Sequence, residues 1–182
     1  MLDTIKNLYT LDLLNGKILE KAAIKLITVN VLLFVIPLMI GDPQLLVGSI
    51  VNFLLIYIAI NFKENKLLPA IFLPAIASLL RNTLLGSLTV YLAVLLPFIW
   101  VANGLFIFLI RGLVKNKHKL VTGLFVSAVA KVIFLFVCTL ALVSVFHFPS
   151  VLLIAMGILQ LATAGIAGIC YLGYLKVFTK NK

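Results

Sequence analysis

The segment Leu-Leu-Pro-Phe-Ile-Trp-Val-Ala-Asn-Gly, residues 95–104, lies within a long apolar run that continues on both sides of it. Pro97, Trp100 and Asn103 follow one another at intervals of three residues, which predicts that they share one face of a helix. An amide in hydrocarbon is costly unless it faces protein, water or a ligand. The segment therefore predicts a membrane helix with a lipid-facing side and an inner side, and a functional site is expected on the inner side.

The composition extends this interpretation to the whole chain. Of its 182 residues, 64% are hydrophobic and 11% are charged, whereas a soluble domain has about 45–50% apolar and about 25% charged residues. Apolar runs cover nearly everything from Ala22 to Phe178, which suits a chain solvated by lipid. The predicted fold class is all-α, a polytopic integral membrane protein that forms a single membrane domain over residues 1–182.

Six membrane-spanning helices are predicted from the apolar runs, and a short helix on the membrane surface precedes them. Apolar and polar residues alternate at helical spacing over residues 1–16, which predicts an amphipathic interfacial helix ending at Gly16. The third span has only about 14 residues and two prolines, so it reaches about 21 Å of a roughly 30 Å core. It is expected to be broken, tilted or partly re-entrant. The spans cover about residues 22–40, 44–62, 67–80, 87–110, 120–146 and 150–177.

The distribution of positive charge predicts that both termini are cytoplasmic. Cytoplasmic loops of membrane proteins carry an excess of lysine and arginine, and with the N-terminus inside, 13 of the 15 basic residues fall on the inner side. Arg81 alone lies on the outer side, and Lys131 lies within the fifth span. This split accounts for the net charge of +10 without nucleic acid as a partner, and we expect a multi-pass protein of a prokaryotic plasma membrane. The inner residues are Lys6, Lys17, Lys21, Lys25, Lys63, Lys66, Arg111, Lys115, Lys117, Lys119, Lys176, Lys180 and Lys182.

Polar groups inside the spans are few, and none of them is a carboxylate. Proton-coupled carriers usually relay protons through membrane carboxylates, and metal centres need carboxylates or clustered histidines, so both classes are disfavoured. Neither a GxSxG motif nor a glycine-rich phosphate loop occurs. We expect no enzymatic activity, no metal and no cofactor. The residues predicted to contact a ligand are Asn52, Arg81, Trp100, Asn103, Lys131 and Gln160.

Lys131 is the most informative of these residues, because it lies about 11 residues, or roughly 16 Å, into the fifth span. A lysine at the centre of a membrane costs about 2.5–3.5 kcal/mol on insertion scales. It either extends back to the basic loop that precedes the span or faces the bundle interior and needs an anion or carbonyl groups. In the second case the carboxylate or phosphate of a bound ligand is a candidate partner, because the spans contain no Asp or Glu.

The remaining polar and small residues leave alternatives open. Each amide alone is more often an interhelical hydrogen bond than a ligand contact. Together with Lys131 and Trp100, the amides suggest an inner site for a small neutral or anionic molecule that enters past Arg81 from the outer face. Ala164 and Gly168 form a small-xxx-small pair in the sixth span, which allows the close approach either of another helix of the bundle or of a partner subunit.

Three short motifs resemble those of one group of membrane proteins. They are Gly-Ser-Ile-Val-Asn-Phe-Leu at 48–54, Leu-Pro-Ala-Ile-Ala-Ser at 73–78 and Leu-Pro-Phe-Ile-Trp-Val-Ala-Asn-Gly at 96–104. In these motifs, in its length and in its six predicted spans, the chain resembles the substrate-binding S components of energy-coupling factor (ECF) transporters. The resemblance implies a subunit that captures a vitamin or another small metabolite near the outer face. It also implies as partners a transmembrane coupling protein and two cytoplasmic ABC-type ATPases.

The chain departs from that family at its first span, where S components carry an AxxxA-type docking face. Ala22 and Ala23 are adjacent, and neither is four residues from another alanine. The small residues of the sixth span are the candidate substitute. Two other classes of function stay open: a membrane scaffold or assembly protein that binds no small molecule, and an autonomous small carrier that works without ATPases.

Overall fold

The structure is a computed structural model, and it describes residues 2–63, 66–85, 89–114 and 120–178, with the side chains from Glu20 onward except those of residues 82–85. Every regular element in these ranges is a helix, which confirms the all-α prediction. The helices are α1 (Leu2–Met39), α2 (Gln44–Asn61), α3 (Leu68–Leu85), α4 (Thr89–Leu113), α5 (Leu120–Phe146), α6 (Val151–Met156) and α7 (Ile158–Phe178).

Five helical segments are long and apolar enough to cross a membrane, as expected of a multi-pass membrane protein. They are Glu20–Met39 of α1, the helices α2, α4 and α5, and the joined pair α6–α7. The apolar part of α3, Leu68–Arg81, is shorter than the other segments. Six spans with both termini cytoplasmic therefore stay a prediction.

Helix α3 differs from the third predicted span in being continuous. It passes through Pro74 without interruption and has 18 residues, or a length of about 27 Å. The alternative of a broken helix is therefore wrong, whereas tilt and re-entry stay predictions. Pro74 nevertheless leaves one backbone hydrogen bond of the helix unmade, because proline has no N–H to donate to the carbonyl group four residues earlier.

Helix α1 continues through Gly16, where the sequence predicted an end. A glycine in a helix interior costs only about 1 kcal/mol relative to alanine, and an Ile-Leu pair follows two residues later. The predicted end is therefore wrong: residues 2–16 begin a helix of 38 residues instead of forming a separate one. Their position on the membrane surface stays a prediction.

The last predicted span is divided at Gly157 into α6 and α7. A Cβ atom on Gly157 would lie 2.7 Å from the carbonyl oxygen of Leu153 and 3.0 Å from the ring of Phe136. Glycine is therefore required for the close approach of these groups at the break. The break is important for the site, because α6 and the first turn of α7 line the same cavity.

We expect Gly157→Ala to lower the free energy of unfolding by about 1–3 kcal/mol, because the added methyl group meets a backbone oxygen. Gly165→Ala is the matched control, since an added Cβ on Gly165 has nothing within 4 Å and alanine favours a helix interior. Thermal unfolding of the two purified variants checks this prediction. A midpoint that falls for Gly157→Ala alone would support the role of Gly157, and equal midpoints would contradict it.

The buried side chains form two apolar clusters, with α2 packed along α7 and α4 packed along α5. One cluster contains Leu55, Phe106 and Tyr171. The other contains Leu95 and Leu135. A few polar residues are buried with them, and three of these, Asn52, Asn103 and Lys131, line the candidate site. Among the described side chains the buried polar residues are Asn52, Asn103, Ser127, Lys131, Thr139 and Thr163.

Candidate functional site

A cavity of about 350 Å³ lies between the helices, and all seven helices contribute to its wall. Ligand pockets in proteins typically have volumes of about 300–1,000 Å³ and combine apolar walls with a few polar groups. The lining residues have this character, with Val, Leu, Ile and Met side chains between the polar ones. Five of the six residues predicted to contact a ligand lie on the wall: Asn52, Arg81, Asn103, Lys131 and Gln160.

Lys131 of α5 faces the bundle interior, so the alternative in which it extends back to the basic loop is wrong. Its side chain is 3% exposed, and its Nζ donates a hydrogen bond of 2.7 Å to Oδ1 of Asn52 in α2. Nδ2 of Asn52 in turn donates to Oγ1 of Thr163 in α7 at 3.0 Å, and that hydroxyl donates to the backbone oxygen of Gln160 at 3.0 Å. The Nζ atom also lies 5.1 Å from the ring centre of Phe106. This hydrogen-bonded chain joins three helices at the cavity wall.

Asn103 of α4 contacts α3 next to the proline of that helix. Its Nδ2 donates to the backbone oxygen of Ile71 at 3.3 Å. Pro74 cannot donate to the carbonyl group of Ala70, so this turn of α3 is short of one hydrogen bond, and the amide supplies a donor beside it. Asn103 is 3% exposed and lies on the cavity wall, so it makes the interhelical hydrogen bond that was one of its two predicted roles, and its contact with a ligand stays a prediction.

One end of the cavity lies at the turn between α1 and α2, away from Lys131 and Asn52. Nη1 of Arg81 donates to the backbone oxygens of Leu38 at 3.2 Å and Met39 at 3.0 Å, which ties α3 to the end of α1. Gly41 has φ +65° and lies so close that a Cβ atom there would be 1.8 Å from Nε of Arg81. Glycine therefore suits both the backbone conformation and the space. Asp42 is exposed and lines the cavity, so this end opens at the protein surface and is called the mouth below.

Trp100 lies apart from the residues that line the cavity. Its ring packs nearly perpendicular to that of Phe72 in α3, with centroids 5.0 Å apart. Pro97 is exposed, Trp100 is half-buried and Asn103 is buried, so the prediction that the three share one face is wrong. A step of three residues falls short of a full turn by about 60°, so two steps separate Pro97 from Asn103 by about 120°.

The small-residue pair of the last predicted span is split between two environments. Ala164 is buried in the larger apolar cluster, so it packs within the bundle. Gly168 is half-buried, and an added Cβ there would have nothing within 4 Å. A role of this pair in binding a partner helix stays a prediction.

Thr163 and Asp42 are among the residues at the site that the sequence did not predict. Thr163 lies among the small residues of α7, where a hydroxyl group gives no periodic signal. Asp42 was interpreted only as part of a Gly-Asp-Pro turn. The signal available for Thr163 was its position three residues after Gln160, which puts both residues on neighbouring parts of one helix surface.

No protein family, no curated protein sequence and no solved structure matches this chain. The functional interpretation therefore depends on the geometry of the cavity and on the short motifs of the sequence.

Proposed function

We propose that this chain binds a small organic molecule in the cavity and serves as the substrate-capturing membrane subunit of an ATP-driven uptake transporter for a vitamin or another small metabolite. The observation that carries the proposal is the convergence of Asn52, Arg81, Asn103, Lys131 and Gln160, which lie far apart in the sequence, on one cavity.

Packing alone does not explain this arrangement. Protein interiors are close-packed, and large voids are few. Polar and ionisable residues in membrane helices are rare and mark binding or transport pathways when they face a cavity. A scaffold protein needs polar contacts between helices, but it has no need for a cavity of about 350 Å³ that the same residues line. Small-molecule binding explains the polar residues and the space together.

The direction of transport in this proposal follows from the charge distribution. With the N-terminus cytoplasmic, as the positive-inside rule predicts, the turn between α1 and α2 lies on the outer side, and so does the mouth of the cavity. A ligand from outside would then enter past Arg81 and Asp42. This arrangement suits uptake and agrees with the outward site that the resemblance to S components implies.

Coupling to ATP hydrolysis is proposed on the resemblance to ECF S components. A transmembrane coupling protein and two cytoplasmic ABC-type ATPases would be the partners, in a prokaryotic plasma membrane. The first helix lacks the alanine pattern with which S components dock, so we place no docking surface on α1. The autonomous carrier is the alternative that keeps the cavity and dispenses with the ATPases.

Purification of the tagged protein from native membranes in mild detergent, followed by mass spectrometry of the co-purifying proteins, tests the proposal. We expect two ABC-type ATPases and one membrane coupling protein. A preparation without ATPases, from cells in which they are expressed, would contradict the coupling. Small molecules released from the denatured preparation would then favour an autonomous carrier, and their absence would favour a scaffold.

A further inference from the structure

The charged side chains of the cavity wall are distributed unevenly. Among the described residues they are Asp42, Arg81 and Lys131. Asp42 and Arg81 both belong to the mouth, where one carboxylate and one guanidinium group balance each other. Lys131 lies at the inner end beside Asn52, which follows Gln44 by eight residues of α2 and so lies about 12 Å deeper. The inner end therefore carries a single positive charge with no negative side chain at the same depth.

The known contacts of Lys131 do not neutralise that charge. An ammonium group has three N–H donors, and one of them meets the neutral amide oxygen of Asn52. The ring of Phe106 adds a cation–π attraction. Within the described part of the chain, no carboxylate pairs with Lys131. A buried ammonium group is costly unless it is paired with an anion and hydrogen-bonded, so a bound anion gains more here than elsewhere in the cavity.

We propose, building on the proposed function, that the ligand is a small organic acid of net charge −1 that enters the cavity with its acid group first. The acid oxygens accept hydrogen bonds from Nζ of Lys131, and the body of the molecule lies toward the mouth. Apolar side chains line the cavity wall, among them Val47, Val51, Ile99 and Met156. The ligand thus combines one acid group with an apolar body.

The charges at the two ends decide against the other ligand classes. A cation is repelled by Lys131, and a neutral amide offers the ammonium group a carbonyl oxygen but no negative charge to compensate its own. A molecule with an acid group at each end brings its second negative charge to the mouth, where Asp42 offsets the attraction of Arg81 and leaves no net positive charge to compensate it. A monoanion matches the net charge of +1 that Asp42, Arg81 and Lys131 give the cavity.

Pairs of an acid and its uncharged primary amide test this inference, because the two members have nearly the same shape. The probes are 3-phenylpropionate with 3-phenylpropanamide and hexanoate with hexanamide. Binding to the purified, detergent-solubilised full chain is measured by saturation-transfer NMR and by thermal shift. We expect each acid to bind about 10 to 100 times more tightly than its amide.

Substitutions at two lysines assign the preference to one residue. Lys131→Met should reduce the ratio of acid to amide affinity to about one, because the apolar side chain keeps the length and loses the charge. Lys176→Met is the matched control, since Lys176 is exposed in the last turn of α7; this variant should keep the ratio. If Lys131→Met does not yield folded protein, the comparison of acid and amide on the unaltered chain still decides.

The outcomes distinguish a failure of the monoanion inference from a failure of the proposed function. Equal binding of acid and amide, or an acid preference that Lys131→Met retains, would overturn the monoanion inference and leave a binding cavity in place. Failure of all four probes to bind, together with no small molecule released from protein purified from native membranes, would overturn both the inference and the proposed function.

Discussion

Asn52→Leu is expected to lower the free energy of unfolding by about 2–3 kcal/mol, because it removes the middle residue of a buried hydrogen-bonded chain and so breaks two hydrogen bonds at once. Nζ of Lys131 loses its acceptor, and Oγ1 of Thr163 loses a donor. A buried charged group left without its hydrogen bond costs more than the bond itself contributes. Denaturant or thermal unfolding of the purified protein in a fixed detergent measures the effect.

Two further variants separate this cause from the general cost of altering an amide in the bundle. Asn30→Leu is the matched control, because Nδ2 of Asn30 donates only within its own helix, to the backbone oxygen of Leu26; it should cost less than about 1 kcal/mol. The double variant Asn52→Leu/Lys131→Met should recover much of the lost stability, since it removes the unpaired charge together with its partner. Equal losses for Asn52→Leu and Asn30→Leu would show that the contact with Lys131 contributes nothing measurable.

The sequence was most informative about polar residues within apolar runs, because the cost of a polar group in hydrocarbon applies to each such residue individually. Hydrocarbon makes every buried polar group expensive, so a short list of amides and one lysine was enough to anticipate four of the polar residues on the cavity wall. The same rule could not tell whether Lys131 faced the interior, because a depth of roughly 16 Å allows two orientations of the side chain. A lysine side chain at this depth can extend toward the helix end or point into the bundle. The hydrogen bond to Asn52 holds the side chain of Lys131 in the bundle interior. The local sequence does not reveal this contact, because it joins residues 79 positions apart.

Helix ends and interruptions were the least predictable features, because small energies decide them. Gly16 and Gly157 are both glycines near apolar runs, yet α1 continues through the first and the last span divides at the second. An intrinsic cost of about 1 kcal/mol per glycine cannot distinguish them. The difference comes from tertiary contacts: at Gly157 a side chain would meet the backbone of Leu153 and the ring of Phe136, and neither neighbour is visible in the local sequence.

The face of α4 that lines the cavity illustrates a related difficulty. The sequence drew attention to Pro97, Trp100 and Asn103 through their chemistry and equal spacing. The wall is instead formed by Leu92, Ile99 and Asn103, at intervals of seven and four, which are the intervals that keep residues on one side of a helix. Trp100 was predicted to lie in the site because of its chemistry, although its spacing from Asn103 does not match the helical period. In the structure it packs against α3 instead.

Ala155→Phe is expected to reduce the affinity of the cavity for 3-phenylpropionate at least about 100-fold, equivalent to about 2.7 kcal/mol. Ala155 lies in α6 on the cavity wall, and a phenyl ring added there takes space from a volume of about 350 Å³. Titration by saturation-transfer NMR measures the affinity, and thermal unfolding in the same detergent shows whether the variant is folded.

Ala141→Phe provides the comparison that makes this experiment decisive. Ala141 is exposed on α5, so the same ring added there faces the surroundings of the bundle and should leave the affinity unchanged. The two variants carry the same added volume and apolar area, so a difference between them can only come from the position of the ring. Loss of binding in Ala155→Phe alone would locate the ligand in the cavity between the helices. Unchanged binding in a folded Ala155→Phe variant would locate the ligand outside the cavity. It would also contradict the role proposed for Lys131, because a ligand outside the cavity cannot reach an ammonium group that is 3% exposed.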